Sequence, residues 1–226
     1  MVKNMVKALG LGLGIMSIAL GGSAMARSQK IKEQQLIEAV QKNDKTDVEA
    51  LIKFGASIET RDSDGATPLL IATRNNDIDI ARLLILAGAD VNAKDKIQDS
   101  AYLYAGARGH LEILRLTLEH GADVESLNRY GGTALIPACE RGHVETVKAL
   151  LEAGVDVNHV NNLGWTALLE TVILGDGSKN YVEITKILLD HGADAKIADK
   201  NGVTALDHAK QKGQKDIVAI LEKAKG

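Results

Sequence analysis

The fold is decided by one stretch, Gly132-Thr133-Ala134 through Leu163-Gly164, which reads GTALIPACERGHVETVKALLEAGVDVNHVNNLG over residues 132–164. Thr133 to Arg141 makes a short helix, and Gly142-His143 punctuates a turn. From Val144 to about Ala153 the residues Val144, Val147, Leu150 and Leu151 fall on one face of a second helix. Gly154 stands where that helix ends in a left-handed cap. Asp156-Val157-Asn158 and Asn161-Asn162-Leu163-Gly164 then make a turn-rich connection. Working outward, the capping glycine recurs as Gly55, Gly88, Gly121, Gly154 and Gly192, in steps of 33, 33, 33 and 38 residues. A second marker, Thr67, Ser100, Thr133, Thr166 and Thr204, advances by the same steps. Two markers in phase define a repeat architecture. A single thin helix pair cannot bury its own apolar face, so the units must stack.

The motifs Gly65-Ala66-Thr67-Pro68-Leu69, Gly142-His143, Leu150-Leu151 and Gly88-Ala89-Asp90-Val91-Asn92 resemble the ankyrin repeat. The resemblance covers about residues 33 to 224. It implies an all-α solenoid of stacked helix-turn-helix units with β-turn or hairpin tips. The expected organisation is an N-terminal partial unit (33–65), four full units (66–98, 99–131, 132–164 and 165–202) and a C-terminal cap (203–226). Polar residues at both ends suit solvent-facing terminal units. Pro137-Ala138-Cys139-Glu140-Arg141-Gly142-His143 and Gly164-Trp165-Thr166-Ala167-Leu168-Leu169-Glu170 make the second half similar to a bacterial subset, the YahD-like ankyrin proteins.

Composition agrees with thin helical layers. Aromatic residues are 3% of the chain, so the core must be packed from Leu, Ile, Val and Ala. The net charge is -3 with both signs mixed along the chain, and no basic stripe marks a nucleic-acid partner. Lys3 and Lys7, the apolar run Ala8 to Leu20 and the small residues of Ala24-Met25-Ala26 read as a cleavable export signal over residues 1–26. The apolar run is shorter than the roughly 20 residues a permanent anchor needs. Residues 27–32 read as a short linker, and the processed chain carries a charge of about -5. The expected location is the bacterial periplasm or the medium, with no stable membrane anchor. Cys139 is the only cysteine, so the fold must be stable without an internal disulfide.

With each Thr or Ser marker as a ruler, the surface positions can be read off. The tips carry Ser63, Lys96, Arg129, Asn162 and Lys200, then Asp64, Ile97, Tyr130, Leu163 and Asn201. Four residues past the marker come Ile71, Tyr104, Pro137, Glu170 and His208. Trp165 falls at a surface position beside Gly132, with Tyr130 and Leu163 at adjacent tips; it either anchors a partner or covers the seam between units. Glu170 stands where such units carry an apolar residue, next to Pro137 within a helix. With Arg108, Glu140 and Arg141 it forms either a site or a solvated charge network. The extra residues around Leu174 to Tyr181 form either a flexible lip of the groove or a neutral insertion.

His110, His143, His120 and His191 recur with the repeat and read as turn-stabilising groups, and no pair has metal-ligand spacing. Cys139 reads as a packed thiol. No phosphate loop, nucleophile elbow or dinucleotide fingerprint is present, and no cofactor is expected. The expected function is non-catalytic binding of another protein by a monomer, through Trp165, Tyr130, Arg129, Leu163, Asn162, Tyr104, Arg108, Glu140, Arg141 and Glu170. An immunity or inhibitor protein, or an accessory factor of an envelope enzyme, would fit. The alternative is a small-ligand receptor or weak enzyme using Glu140 and Glu170 near Trp165.

Overall fold

A computed structural model describes residues 6–224, with side chains from Ala24 onward. Its helices alternate between two layers. The inner layer is the C-terminal part of α1 (Val6–Gln41), then α3 (Pro68–Arg74), α5 (Ala101–Arg108), α7 (Leu135–Glu140), α9 (Ala167–Ile173) and α11 (Ala205–Lys212). The outer layer is α2 (Lys45–Lys53), α4 (Ile78–Leu86), α6 (Leu111–Glu119), α8 (Val144–Glu152), α10 (Lys179–Asp190) and α12 (Lys215–Ala224). Each inner helix pairs with the outer helix that follows it, and each layer stacks unit on unit.

The local causes repeat with the sequence. The marker residue caps four of the inner helices: the hydroxyls of Thr67, Ser100, Thr166 and Thr204 accept the backbone N–H three residues on. Gly154 ends α8 at φ +87°, and a Cβ there would meet nothing, so the glycine serves the backbone angle rather than space. Between the layers lies one apolar spine. Leu69, Leu70, Leu135, Leu168 and Leu169 come from inner helices, and Ile80, Leu84, Ile113, Leu150, Ile184 and Leu188 from outer ones, all within 2% of complete burial. Each such side chain stabilises the stack by about 1.5–3 kcal/mol. Hydrogen bonds also cross the seams: Asn92 Nδ2 donates to Gly121 O and Asn158 Nδ2 to Gly192 O, while their Oδ1 atoms accept from Asp123 N and Asp194 N.

Two expectations change. The 27–32 segment, expected as a short linker, lies inside α1. It contains neither Gly nor Pro, and it is tied to the end of α2: Gln29 Nε2 donates to Gly55 O (3.1 Å) and Lys32 Nζ to Phe54 O (3.0 Å). The N-terminal unit, expected to be partial, is a complete helix pair of α1 and α2. The tips are turns, in keeping with the expected all-α solenoid: among the described residues no strand forms there, and the nearest approach to pairing is an isolated bridge between Ala198 and Thr204. Of the export signal, Lys3 lies outside the described residues. Among the described residues no helix is long and apolar enough to cross a membrane.

Candidate functional site

Every tip is built on an Asp or Asn five residues before the marker. The Oδ1 atoms of Asp62, Asp95, Asn128, Asn161 and Asp199 each accept two backbone N–H groups, from the second and fourth residues beyond. The backbone N–H of each of the five then donates to the carbonyl four residues on, closing the turn. The second side-chain atom is left over for other partners, and three of the five spend it on an inner helix. Asp95 spends it on Arg74, and Asp199 on His208 Nε2 (2.9 Å). Asn161 donates Nδ2 to Glu170 Oε1 (3.0 Å).

Glu170 is 5% exposed, and its other oxygen, Oε2, is buried without a partner. Burial pushes its carboxyl up to about 7, nearby Glu140 adds to the shift, and the Asn161 amide opposes it. The neighbouring α7 is irregular at the same level. Pro137 has no N–H to give the Thr133 carbonyl, so the first bond of that helix is Ala138 N to Ala134 O. The helix therefore begins one residue late at Leu135, its capping hydrogen bond is missing, and Thr133 Oγ1 is left buried and unpartnered. Tyr102 Oη and Gln214 Oε1 are the remaining such atoms among the described residues; of the four, only that of Glu170 belongs to a cavity-lining residue.

Over Glu170 the concave face opens into a cavity of about 380 Å³. Tyr104, Tyr130 and Trp165 supply its rings, with Leu163 and Leu174 at the edge. Arg108, Arg129 and Arg141 stand exposed around it. Arg129 pairs with Asp99 at 3.7 Å and covers the Tyr130 ring at 5.0 Å. Arg108 lies 5.5 Å over Tyr104, and Arg141 donates to Ala107 O at 2.6 Å. Burial raises the Asp99 carboxyl, and the facing guanidinium of Arg129 draws it back. The result is a carboxyl floor, an aromatic wall and a guanidinium rim.

Nine of the ten residues expected at the site line this cavity. Asn162 does not: its side chain packs against Gly131, its N–H donates to Tyr130 O and its carbonyl receives Lys200 Nζ, so it braces adjacent tips. Trp165 is half-buried against the core rather than fully exposed, so it both seals the seam and shows an edge to the cavity. The tip row is less free than expected, since Lys96 donates to Ser63 O and Lys200 to Asn162 O. Sequence reading missed Asn128 and Asn161 as lining residues. The signal was present: the five Asp or Asn tip residues advance by the same 33, 33, 33 and 38 steps as the threonines.

The insertion is not a flexible lip. Tyr181 Oη donates to Glu140 O (2.9 Å), Gln214 Nε2 to Val172 O and Gly175 O, and Lys212 Nζ to Ile173 O and Gly175 O. A Cβ at Gly175 would stand 2.2 Å from Thr171 O and 2.5 Å from the Tyr181 ring, so only glycine fits. Its first residue, Leu174, borders the cavity. The histidines are spent locally: His110 on Thr73 O, His120 on Leu116 O, His191 on Ile187 O and His159 on Gly131 O. Burial lowers His110 and His143. Cys139 is fully buried, and burial pushes its thiol up to about 12. Among the described residues no three His, Cys, Asp or Glu side chains converge as a metal site.

This geometry can be set beside known proteins. The family model for ankyrin repeats (3 copies) matches residues 5–95, 86–161, 102–179 and 154–225. An ankyrin repeat domain from Acinetobacter baumannii AYE superposes with a TM-score of 0.81 and 57% identity, covering 84% of this chain and 96% of that one. The ankyrin repeat protein EF0377 superposes with a TM-score of 0.82 and 46% identity, over 84% and 98% of the two chains. The ankyrin repeat protein YahD of Escherichia coli (strain K12) is 38% identical over 53 residues, 24% of this chain; the match spans about a quarter of that relative, 26%. The family model covers nearly the whole chain, through every helix pair and every tip described above, and the protein belongs to the ankyrin-repeat family.

Proposed function

We propose that this protein is a non-catalytic binding module of the bacterial envelope that clasps another protein on its concave face. One observation carries the reading: three rings and three guanidiniums surround a cavity of about 380 Å³ whose floor holds a buried, half-satisfied carboxyl. Aromatic and arginine side chains in desolvated pockets dominate protein interfaces, and a stacked helical array presents such a surface on a rigid frame. Ankyrin repeats in general serve as protein-binding modules, which is the coarse function of the family. Two uses suit the fit of a pre-formed groove to a folded partner: an immunity or inhibitor protein, or an accessory factor of an envelope enzyme. The protein acts as a monomer in the periplasm or outside the cell. Export rests on Lys3, Lys7, the apolar run Ala8 to Leu20 and Ala24-Met25-Ala26.

Capture from periplasmic extract tests the anchor. The wild-type protein is expected to retain partners that Trp165→Ala loses; identical capture by both would remove the concave face from the reading. A second reading, a small-ligand receptor, draws on the cavity volume, which falls within the roughly 300–1,000 Å³ of small-molecule sites. Trp165 is the only tryptophan, so its fluorescence reports a small ligand directly. A metabolite panel that leaves the emission unchanged counts against that reading.

A further inference from the structure

The charge around the cavity is layered by depth. Glu170 is buried at the floor, Glu140 is half-buried beside it, and Arg108, Arg129 and Arg141 are exposed at the rim. Two carboxyls facing one cavity repel each other when both are ionised, and a single cation between them relieves both. The floor also offers a ready acceptor, because Oε2 of Glu170 has no partner. The rim asks for the opposite sign. Arg129 already faces Asp99. Among the described residues neither Arg108 nor Arg141 has a carboxylate partner; one lies over the Tyr104 ring and the other on a backbone carbonyl. The remaining polar neighbours of the floor are committed or neutral. On α7 this is the buried Cys139 thiol, and on the tip loop Asn161, whose amide is spent on Glu170. On α11, His208, the counterpart of Glu170 one unit on, is held by Asp199. The outer helix α10 turns Ile184, Thr185 and Leu188 toward the core.

We propose that the cavity is a specificity pocket for a projecting loop of the partner carrying one basic side chain between acidic ones, the basic group entering over Glu170 and Glu140 and the acids meeting Arg108 and Arg141. The proposal rests on the concave-face reading and narrows it to a partner of defined chemistry. A long basic side chain matches the pocket twice, since its apolar stem packs on Trp165 and Tyr130 while its head reaches the carboxyls. Its entry also favours the ionised form of Glu170, so binding expels a proton wherever the empty pocket holds one.

The test titrates the purified protein with two capped tripeptides, Asp-Arg-Asp and Asp-Gln-Asp, following Trp165 fluorescence at pH 6 and pH 8. The basic tripeptide is expected to bind saturably and about tenfold more tightly at pH 8, because the floor carboxyl, half-ionised at about 7, is then mostly charged. Glu170→Gln is expected to weaken binding at pH 8 by tenfold or more and to erase the pH difference, and the Gln tripeptide to bind at least tenfold more weakly than the Arg one. Glu140→Gln is expected to weaken it less. Equal binding of the two tripeptides, no saturable response, or tighter binding at pH 6 would each overturn the proposal. A natural partner lost by Trp165→Ala yet indifferent to Glu170→Gln would keep the concave face and discard the basic loop.

Discussion

Asn161 with Glu170 and Asp199 with His208 occupy the same two positions of the repeat, nine residues apart, on successive units. The backbone around them is alike: each Oδ1 accepts two tip N–H groups, and each inner helix starts from a capped threonine. The chemistry left over differs. In the last unit an acid meets a histidine, and the pair closes. In the unit before it an amide meets an acid, one oxygen stays unpartnered, and the next unit back supplies Pro137 and a second acid, Glu140. A scaffold that repeats its backbone can thus place a satisfied pair and an unsatisfied one in the same frame. The unsatisfied one lies under the cavity.

The comparison breaks hardest at its hinge. Asn161→Ala removes the acceptor of Leu163 N and Trp165 N and the one donor to Glu170. It is expected to cost about 4 kcal/mol in urea unfolding and to move Trp165 emission to the red. A loss below about 1 kcal/mol would mean that the tip is held by other contacts.

Next is the acid itself. Glu170 holds a proton more tightly in the folded chain than in the unfolded one, so it subtracts stability as pH rises from its ordinary 4.5 to about 7, and the loss stays complete above that. Glu170→Gln is therefore expected to raise unfolding free energy by up to about 3 kcal/mol at pH 8 and to change little at pH 4. A variant that is less stable at pH 8 would show that the carboxylate is paired after all. Smaller still, Pro137→Ala returns a backbone donor to Thr133 O and is expected to stabilise by about 1 kcal/mol, read by the same unfolding curves.

The smallest effect has the opposite pH sense. The backbone N–H of Val203, with help from His208, holds the Asp199 carboxyl below its usual range. Its contribution is present above the ordinary Asp value and lost as pH falls through the depressed one. Asp199→Asn is expected to lower the melting temperature at pH 7, the difference closing as pH falls through the depressed value. If Asp199→Asn and Glu170→Gln shift stability with the same slope against pH, the two pairs are not chemical opposites.

Much of this was legible in the residues, and the remainder has physical causes. Glycines and threonines in phase reveal the stack because they answer local demands, a left-handed cap and an N-cap, that each unit must meet alone. Trp165, Pro137 and Glu170 stand out because they break that local pattern. What stayed hidden is tertiary. Only stacking shows that Asn162 braces Gly131, or that Asn161 spends its amide on Glu170. Lys212 and Gln214, 37 to 42 residues along the chain, stiffen an insertion that looks loose in isolation. Residues 27–32 look like a linker because their helix is fixed by the end of α2, far from them in sequence.

Partner contact at the concave face is reached most directly by site-specific photo-crosslinking in living cells. A crosslinking amino acid would replace Tyr130 beside the cavity and, in a second strain, Lys186 on the outer helix layer. The expected result is one discrete adduct from position 130 that disappears when Trp165→Ala is added, and none from position 186. No adduct from position 130, or the same adducts from both positions, would contradict it.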